Sequence, residues 1–284
     1  MATMQQPRET FVPRAGKVYA QADYEQLELH TWAQRCIDLF GFSDLADVLN
    51  SGNDAHTEMA AQILEIPQDV ARARRKLGTA DKDFDRTRTI AKNTNFGLPG
   101  GLGITRFCEM VRIASKNKII IDKVQGKKIK DAWLKRWREA PMYLRWISEK
   151  TKNGNTTLVD PYTGRVRGDV GYSDGANDGF QALGAAVAKR AMWLVSKACY
   201  AQPESVLYGS RIVAFIHDEI ILETDDTPKA HDVAKELERL MIAAADEYCP
   251  KVKCKAPPVL MRYWSKGAHA VYDANGRLVP WSAA

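Results

Sequence analysis

Three parts of the chain have residue patterns that are typical of β-strands. Residues 17–23, Lys-Val-Tyr-Ala-Gln-Ala-Asp, have a period of two and end on an acid, which predicts a strand. Residues 211–224 contain two apolar runs on either side of His-Asp-Glu, which predicts a β-hairpin with these polar residues at its tip. Residues 156–168 predict a second hairpin that turns at Asp-Pro-Tyr-Thr-Gly.

Helical patterns cover most of the remaining chain. Helices are predicted over about residues 25–40, 174–201 and 227–248, the second of them rich in alanine. Because the strands are few and are separated by helices, the chain is predicted to have an α+β fold with a small antiparallel sheet.

Helix-capping residues mark further helices between about residues 50 and 100. Asn53 or Asp54 is suited to cap one helix at its start, and Pro67 to open the next. Residues 81–96 predict a helix that Gly97 closes, because glycine readily adopts the left-handed conformation that ends many helices.

Composition limits the class of protein. The chain has 284 residues, of which 45% are hydrophobic, so it can bury one large core or two intertwined subdomains. No apolar run approaches the roughly 20 residues of a membrane-spanning helix, and the first residues do not resemble a signal peptide. We therefore expect a cytoplasmic protein with no membrane partner. The five cysteines lack Cys-x-x-Cys or zinc-ligand spacing and are expected to be buried or incidental.

The basic residues are clustered. The net charge is +6, and two clusters stand out. One contains Arg72, Arg74, Arg75 and Lys76 and is followed by Arg86, Arg88 and Lys92, and the other contains Lys116, Lys118, Lys123, Lys127, Lys128, Lys130, Lys135, Arg136 and Arg138. Such clusters favour a polyanionic partner, although solvated helix faces have the same pattern. Trp133, Trp137, Tyr143 and Trp146 lie among the second cluster and are suited either to base stacking or to a helix core.

Acidic residues end two of the predicted strands. Asp23 ends the first strand, and Asp218 and Glu219 lie at the hairpin tip. Taken singly, these acids are typical of helix caps or polar turns. Two strand-end aspartates from different parts of one sheet are also suited to share two Mg²⁺ ions about 3.5–4 Å apart, the arrangement used in phosphoryl and nucleotidyl transfer.

A third element carries cations on one helix face. Arg88, Lys92 and Phe96 are spaced i, i+4 and i+8, so they project from the same side of the predicted helix. The two cations suit a triphosphate, and the ring suits a sugar or base. An ordinary basic helix with a core phenylalanine would show the same spacing.

These three segments together resemble the motifs of family-A DNA polymerases, the type found in bacterial DNA polymerase I and many phages. Residues 23–29 are similar to the motif Asp-Tyr-Ser-Gln-Ile-Glu-Leu, and residues 88–97 to Arg-x-x-x-Lys-x-x-Asn-Phe-Gly. Residues 216–219 are similar to Val-His-Asp-Glu. The order and rough spacing also match, and the resemblance extends from about Arg8 onward. It implies a small antiparallel palm sheet with a helical fingers subdomain.

The resemblance assigns functional residues. It implies metal ligands at Asp23, Asp218 and the backbone carbonyl of Tyr24, and catalytic residues at Asp23, Lys92, Asp218 and Glu219. It implies dNTP-binding residues at Tyr24, Gln26, Glu28, His56, Arg88, Lys92 and Phe96, and DNA-binding residues at Asn177, Gln181 and His217. The implied cofactor is two Mg²⁺ ions, for which Mn²⁺ could substitute, and the implied partners are primer–template DNA and dNTPs.

Several of these roles have a stated chemistry. Glu28 matches the steric gate that crowds a ribose 2′-hydroxyl, and it argues against an RNA-synthesising polymerase. Lys92 is suited to protonate the leaving pyrophosphate. Phe96 would pack near the sugar and is the residue type linked to rejection of dideoxynucleotides. His56 lies in a segment similar to the family's Asp-Ile-His, and Glu219 would lie near the primer end.

The chain departs from the family pattern at two internal positions. Gly100 stands where the family usually has a tyrosine four residues after the motif's phenylalanine, so that ring's role at the template base does not carry over. Ser173 stands where the family often has an arginine, four residues before Asn177. A minor-groove contact is therefore either missing or supplied elsewhere.

The start of the chain gives a third departure. Only 22 residues precede Asp23, and Met4–Arg8 resembles the tail of the family's Asn-x-Gln-x-Pro stretch. We expect palm residues at 1–50, fingers at 51–155 and palm again at 156–284, with no thumb or exonuclease domain. A second polypeptide that supplies the missing part is the favoured explanation. A truncated chain and a compact polymerase that acts alone are the others.

Two classes of function besides DNA synthesis stay open. One is a catalytically inactive DNA-binding or replisome remnant that needs a partner chain. The other is a protein–protein module that joins a replisome. If the source is a phage, the expected location is the cytoplasm of the host.

Overall fold

The computed structural model describes residues 7–154 and 156–282. The resemblance noted at Met4–Gln6 lies outside the described residues. The chain forms two compact units, which we name by their contents. The sheet unit is Met1–Leu27, Ala185–Pro250 and Cys254–Ala284, and the helical unit is Glu28–Gly184 and Lys251–Lys253. No helix among the described residues is both long and apolar enough to cross a membrane.

In the described ranges of the chain, eight α-helices follow the first strand, and the other strands lie in the second half of the chain, so the fold is α+β. The strands are β1 (Lys17–Asp23), β2 (Thr156–Val159), β3 (Val166–Val170), β4 (Arg211–Ile216), β5 (Glu219–Asp225), β6 (Pro258–Met261), β7 (Val271–Tyr272) and β8 (Leu278–Val279). The α-helices are α1 (Leu27–Phe40), α2 (Asp44–Asn50), α3 (Ala55–Leu64), α4 (Gln68–Lys76), α5 (Lys82–Gly97), α6 (Ile104–Ala114), α7 (Lys123–Arg136), α8 (Glu139–Thr151), α9 (Tyr172–Tyr200) and α10 (Ala230–Tyr248).

The sheet unit is built on a four-stranded antiparallel sheet in the order β4-β5-β1-β6. The central strand β1 buries Val18, Ala20 and Ala22 completely. Helix α10 packs against this sheet, and its Leu237 and Met241 are fully buried. The small side chains of β1 suit close helix–sheet packing, so the alternation that predicted this strand also fixes which residues face the core.

The helical unit is held by an aromatic core. Trp32 of α1 stacks on Trp133 of α7 with ring centroids 5.7 Å apart, and Tyr143 of α8 meets Trp32 edge-on. Trp133, Trp137 and Tyr143 are fully buried, and Trp146 is half-buried. The three fully buried rings therefore belong to the core of the unit and are not accessible for base stacking, and Trp146 packs against that core.

Most predicted elements are confirmed, including both hairpins and the capping of α3 by Asp54. Helix α5 ends at Gly97 as predicted, but Gly97 does not have the left-handed conformation expected of a closing glycine. Gly97 is the last helical residue with φ of −91°, and a 3₁₀ turn over Leu98–Gly100 continues from it. Gly97 also packs closely on α6, because a Cβ there would lie 2.4 Å from Cε of Met110 and would displace that flexible side chain. The left-handed residue is Gly101, with φ of +75°.

None of the five cysteines forms a disulfide in the part of the chain that the structure describes. Four are buried, and Cys108 is half-buried. This agrees with their interpretation as small core residues.

Candidate active site

The sheet unit brings three acidic residues together at one edge of the sheet. In the antiparallel ladder of β1 and β5, Asp23 lies directly opposite Glu219. Asp218 precedes Glu219 in the two-residue connection between β4 and β5, where His217 has φ of +58°. Left-handed backbone is typical of such short hairpin turns, and here it places the acids at the tip of the hairpin.

Burial and mutual repulsion change the ionisation of these acids. Burial, followed by the charges of Asp218 and Glu219, raises the pKa of Asp23 to about 7. A protonated Asp23 carboxyl donates a hydrogen bond to Asp218, whose pKa is also raised by burial. Two carboxyls that share a proton in this way form a site where a divalent cation would relieve the repulsion.

Glu219 is held by a second layer of residues. The indole Nε1 of Trp264 donates to Oε1 of Glu219 at 3.1 Å, and burial raises the pKa of Glu219. The guanidinium of Arg8 lies 4.5 Å from the centre of the Trp264 ring, and Phe11 meets that ring edge-on. The Glu219 carboxylate is therefore fixed in position before any ligand arrives.

The acids line a cleft of about 280 Å³. The cleft walls also carry the cations Arg8 and Lys266 together with Trp264. Reasoning from the sequence did not place these three residues at the site. Arg8 belongs to the Met4–Arg8 stretch that resembles the family, but no spacing rule links residues 8, 219 and 264.

The donor set suits a metal that shares its ligands with substrate. Among residues 7–154 and 156–282, no group of three or more His, Cys, Asp or Glu side chains is arranged to hold an ion alone. Mg²⁺ is commonly held by one or two carboxylates plus substrate phosphates. Asp23 and Asp218 meet that requirement. Only the backbone of Tyr24 is available to this site. Its N–H bonds to the Asp23 carboxyl, and its buried hydroxyl donates to the carbonyl of Met241.

The helical unit carries the basic helix face on α5. Arg88 donates from Nε to Oδ2 of Asp54 at 2.7 Å, and Asp54 also caps the start of α3. Lys92 is exposed one turn further along, and Phe96 follows. Asp54 therefore fixes the Arg88 guanidinium in place while Lys92 is accessible to solvent.

His56 lies beneath this face. Its ring packs on Phe96 with centroids 5.4 Å apart and is 3% exposed. Burial, reinforced by the charges of Arg88 and Lys92, lowers the pKa of His56 to about 4, so the ring is neutral at pH 7. Asn95 contacts Nδ1 of His56 at 3.3 Å and accepts a hydrogen bond from Trp137 at 3.0 Å, which fixes the layer under Phe96.

The remaining predicted site residues lie on α1 and α9, except Gln26. Gln181 donates to Glu28 across a long 3.4 Å separation, so this predicted DNA contact and the predicted steric gate are neighbours. Asn177 donates from Nδ2 to the carbonyl of Ser173 at 2.8 Å. Gln26, just before α1, has left-handed backbone with φ of +56°.

The chain is similar to polymerases of known type. A family model described as DNA polymerase family A matches residues 1–265. DNA polymerase I of Helicobacter pylori strain J99 is 26% identical over 255 residues, covering 86% of this chain and 24% of that protein. The thermostable DNA polymerase I of Thermus thermophilus is 24% identical over 242 residues, covering 81% of this chain and 25% of that protein. This chain thus spans about a quarter of the length of both relatives.

A solved structure shows the same fold. The polymerase domain of Pol1 from M. smegmatis, described as a complex with DNA primer–template and dNTP, aligns with a TM-score of 0.69 and 21% identity. The alignment covers 92% of this chain and 43% of that one.

Proposed function

This chain belongs to DNA polymerase family A, and we propose on that basis that it transfers nucleotides from dNTPs to a primer 3′ end under the direction of a DNA template. The observation that carries the proposal is the placement of Asp23, Asp218 and Glu219 in one cleft, with Asp23 opposite Glu219 in the β1–β5 ladder and Asp218 beside Glu219 at the hairpin tip. Carboxyls this close are costly unless a cation joins them, and such a cation is what nucleotidyl transfer requires.

Asp23 and Asp218 hold the metal ions in this proposal, together with the backbone carbonyl of Tyr24. Bound Mg²⁺, for which Mn²⁺ could substitute, supplies activation of the 3′-hydroxyl and neutralises charge on the leaving pyrophosphate. Glu219 orients the primer end, because Trp264 holds its carboxylate in a fixed position. His217, which is exposed at the hairpin tip, contacts the primer strand.

The basic face of α5 binds the triphosphate in this proposal. Arg88 is pre-oriented by Asp54 and contacts the phosphates, and Lys92 donates a proton to the leaving pyrophosphate. Phe96 packs on the sugar and is supported from below by the neutral His56 ring. A neutral His56 would approach a phosphate as a hydrogen-bond donor only, so Arg88 and Lys92 supply the positive charge.

Sugar selection and DNA contact are assigned to α1 and α9. Glu28 crowds a ribose 2′-hydroxyl and so favours deoxynucleotides, with Gln181 beside it. Gln26 contributes to the dNTP site, and Asn177 and Gln181 contact primer and template. The solved polymerase domain to which this chain is similar is described as bound to both primer–template and dNTP, which supports this assignment.

Primer extension by the purified chain tests the proposal. A primed DNA template is incubated with Mg²⁺ and dNTPs, and Asp218→Asn is compared with Asp225→Asn. Asp225 is an exposed acid at the far end of β5, so it controls for loss of a carboxylate on the same strand. Extension that survives Asp225→Asn and vanishes in Asp218→Asn supports the proposal, and equal extension by both variants contradicts it.

The same assay separates the alternatives. A folded chain that binds primed DNA and extends it only when a second polypeptide is added has the predicted partner. A chain that binds DNA and never extends it is the inactive remnant. Incorporation of ribonucleotides as readily as deoxynucleotides would favour an RNA-synthesising enzyme.

A further inference from the structure

Two adjacent glycines at the end of α5 allow a close approach by the start of α9. A Cβ at Gly100 would lie 2.4 Å from Oδ1 of Asn177, and a Cβ at Gly101 would lie 2.6 Å from Cε1 of Tyr172. No real side chain tolerates such distances, so both positions must be glycine for Asn177 and Tyr172 to lie where they do. Gly101 also needs its left-handed φ of +75°.

Tyr172 is seated on this backbone without being covered by it. Its side chain is 37% exposed, although it packs on Gly101. The aromatic core of the helical unit lies elsewhere, in Trp32, Trp133 and Tyr143, which are buried. A ring with one side fixed on backbone and another open to solvent is suited to stack on a planar ligand.

The position of the Tyr172 ring, just beyond the end of α5, indicates which ligand it would stack on. Arg88, Lys92 and Phe96 follow one another on one face, and Gly101 comes five residues after Phe96, on the order of 8 Å further along. A nucleotide whose triphosphate lies at Arg88 and Lys92 and whose sugar lies at Phe96 directs its base past the end of the helix. Its pairing partner on the template strand would then lie nearest Tyr172.

We propose that Tyr172, seated on Gly101 at the start of α9, stacks on the template base that pairs with the incoming nucleotide. The inference rests on the proposed function and assigns a specificity-determining residue to it. The glycine at position 100 leaves no ring on the helix itself, where the resemblance leads us to expect a tyrosine, and α9 supplies the ring instead. Asn177, held by the Ser173 carbonyl, fills the space at Gly100 and keeps α9 in register with the turn.

The test uses a template with 2-aminopurine at the templating position, because stacking quenches the fluorescence of this base. Asp218→Asn is present throughout to prevent chemistry. On this background Tyr172→Phe, which keeps the ring, is compared with Tyr172→Leu, which keeps the bulk but loses the π-face. Trp193→Leu, an exposed aromatic of the same helix, is the matched control. The expected result is quenching with Tyr172, Tyr172→Phe and Trp193→Leu, and its loss with Tyr172→Leu.

A second measurement separates stacking from a structural role. With Asp218→Asn present, Tyr172→Leu should weaken binding of an intact template by roughly 5- to 150-fold, the range for one base–aromatic stack. On a template with an abasic site at the templating position, Tyr172 has no partner and the substitution should have little effect. Equal losses on both templates would make Tyr172 structural and overturn the inference.

The two proposals fail differently. If the chain without substitutions extends primers but Tyr172→Leu alters neither quenching nor binding, only the role of Tyr172 is overturned. If that chain binds no primed DNA and extends none, the proposed function fails and the inference fails with it.

Discussion

Asp23 lies directly across the sheet from Glu219, in the register that pairs β1 with β5. A shift of one residue in that register would turn Asp23 to the opposite face of the sheet. The buried residues Val18, Ala20 and Ala22 fix the register, because a shift would expose them. The small apolar residues of β1 therefore determine where the acid lies, and the packing of the sheet and its chemistry depend on one alignment.

We expect Asp23→Asn to stabilise the metal-free protein at pH 8. The pKa of Asp23 is raised to about 7. The contribution of protonated Asp23 to the stability of the folded protein is therefore complete below about pH 4 and is lost as pH rises through 7. Because asparagine does not ionise, Asp23→Asn avoids this loss of stability. Because Asp23 is partly exposed, the gain is on the order of 1 kcal/mol, or about 2 °C in Tm. Thermal melts in EDTA at pH 4 and pH 8 measure it.

Metal provides the control for this prediction. Mg²⁺ should raise the Tm of the unsubstituted chain at pH 8 and leave that of Asp23→Asn nearly unchanged, because ligands that bind the native state stabilise it. An Asp23→Asn variant that is less stable than the unsubstituted chain in EDTA at pH 8 would contradict the account of the carboxyl pair.

His56 should make the stability of the protein fall in mild acid. Its pKa is lowered from 6.5 to about 4, so its contribution is full above pH 6.5 and is lost as pH falls toward 4. For this nearly buried ring the loss is on the order of 3 kcal/mol. Urea unfolding of His56→Gln should depend less on pH over this interval. His269→Gln, at an exposed histidine, is the control and should behave as the unsubstituted chain does.

Glu28 should determine sugar selection. Glu28→Ala removes the side chain that would crowd a 2′-hydroxyl, so the preference for dNTP over rNTP should fall on the order of 100-fold, about 2.7 kcal/mol in transition-state binding. Competing incorporation of one dNTP and its rNTP measures this. Glu25→Ala, at an exposed glutamate three residues earlier, should leave the preference intact. If the Glu28→Ala variant still rejects ribonucleotides as strongly as the unsubstituted chain does, Glu28 is not the steric gate.

Lys92 should act on the chemical step. Replacing a general acid lowers the rate of that step by about 10²- to 10⁴-fold. Single-turnover incorporation by Lys92→Ala should therefore slow by that range while the chain stays folded, because Lys92 is exposed. Lys82→Ala, at an exposed lysine that begins the same helix, is the control. A Lys92→Ala variant that only raises the dNTP concentration needed would show a binding role without proton transfer.

Local patterns predicted much of the fold and part of the site. The alternation in β1 and the apolar runs of β4 and β5 predicted these strands, and the polar residues between the two runs predicted that Asp218 and Glu219 lie at the hairpin tip. The pairing of β6 beside β1 was not predicted, because it joins segments more than 200 residues apart. Contacts of this kind depend on the finished sheet, which short-range patterns do not encode.

The contacts that surround the predicted site residues could not be predicted from the sequence either. Trp264 reaches Glu219 across 45 positions, and Asp54 reaches Arg88 across 34, so no spacing rule indicates either bond. The conformation expected at Gly97 was missed for a similar reason. A glycine at a helix end often has left-handed backbone, but here the left-handed residue is Gly101, and Gly97 lies close to Met110 on α6.

Single-turnover incorporation by Asp23→Asn, Asp218→Asn and the double variant tests the central claim most directly. If the two carboxyls act as one metal-binding unit, each single variant should lose about as much activity as the double variant, because groups that act together are not additive. That result, with Asp225→Asn fully active, is the one we predict. Losses that simply add, or a single variant that retains full activity, would contradict the proposal that this pair carries the chemistry.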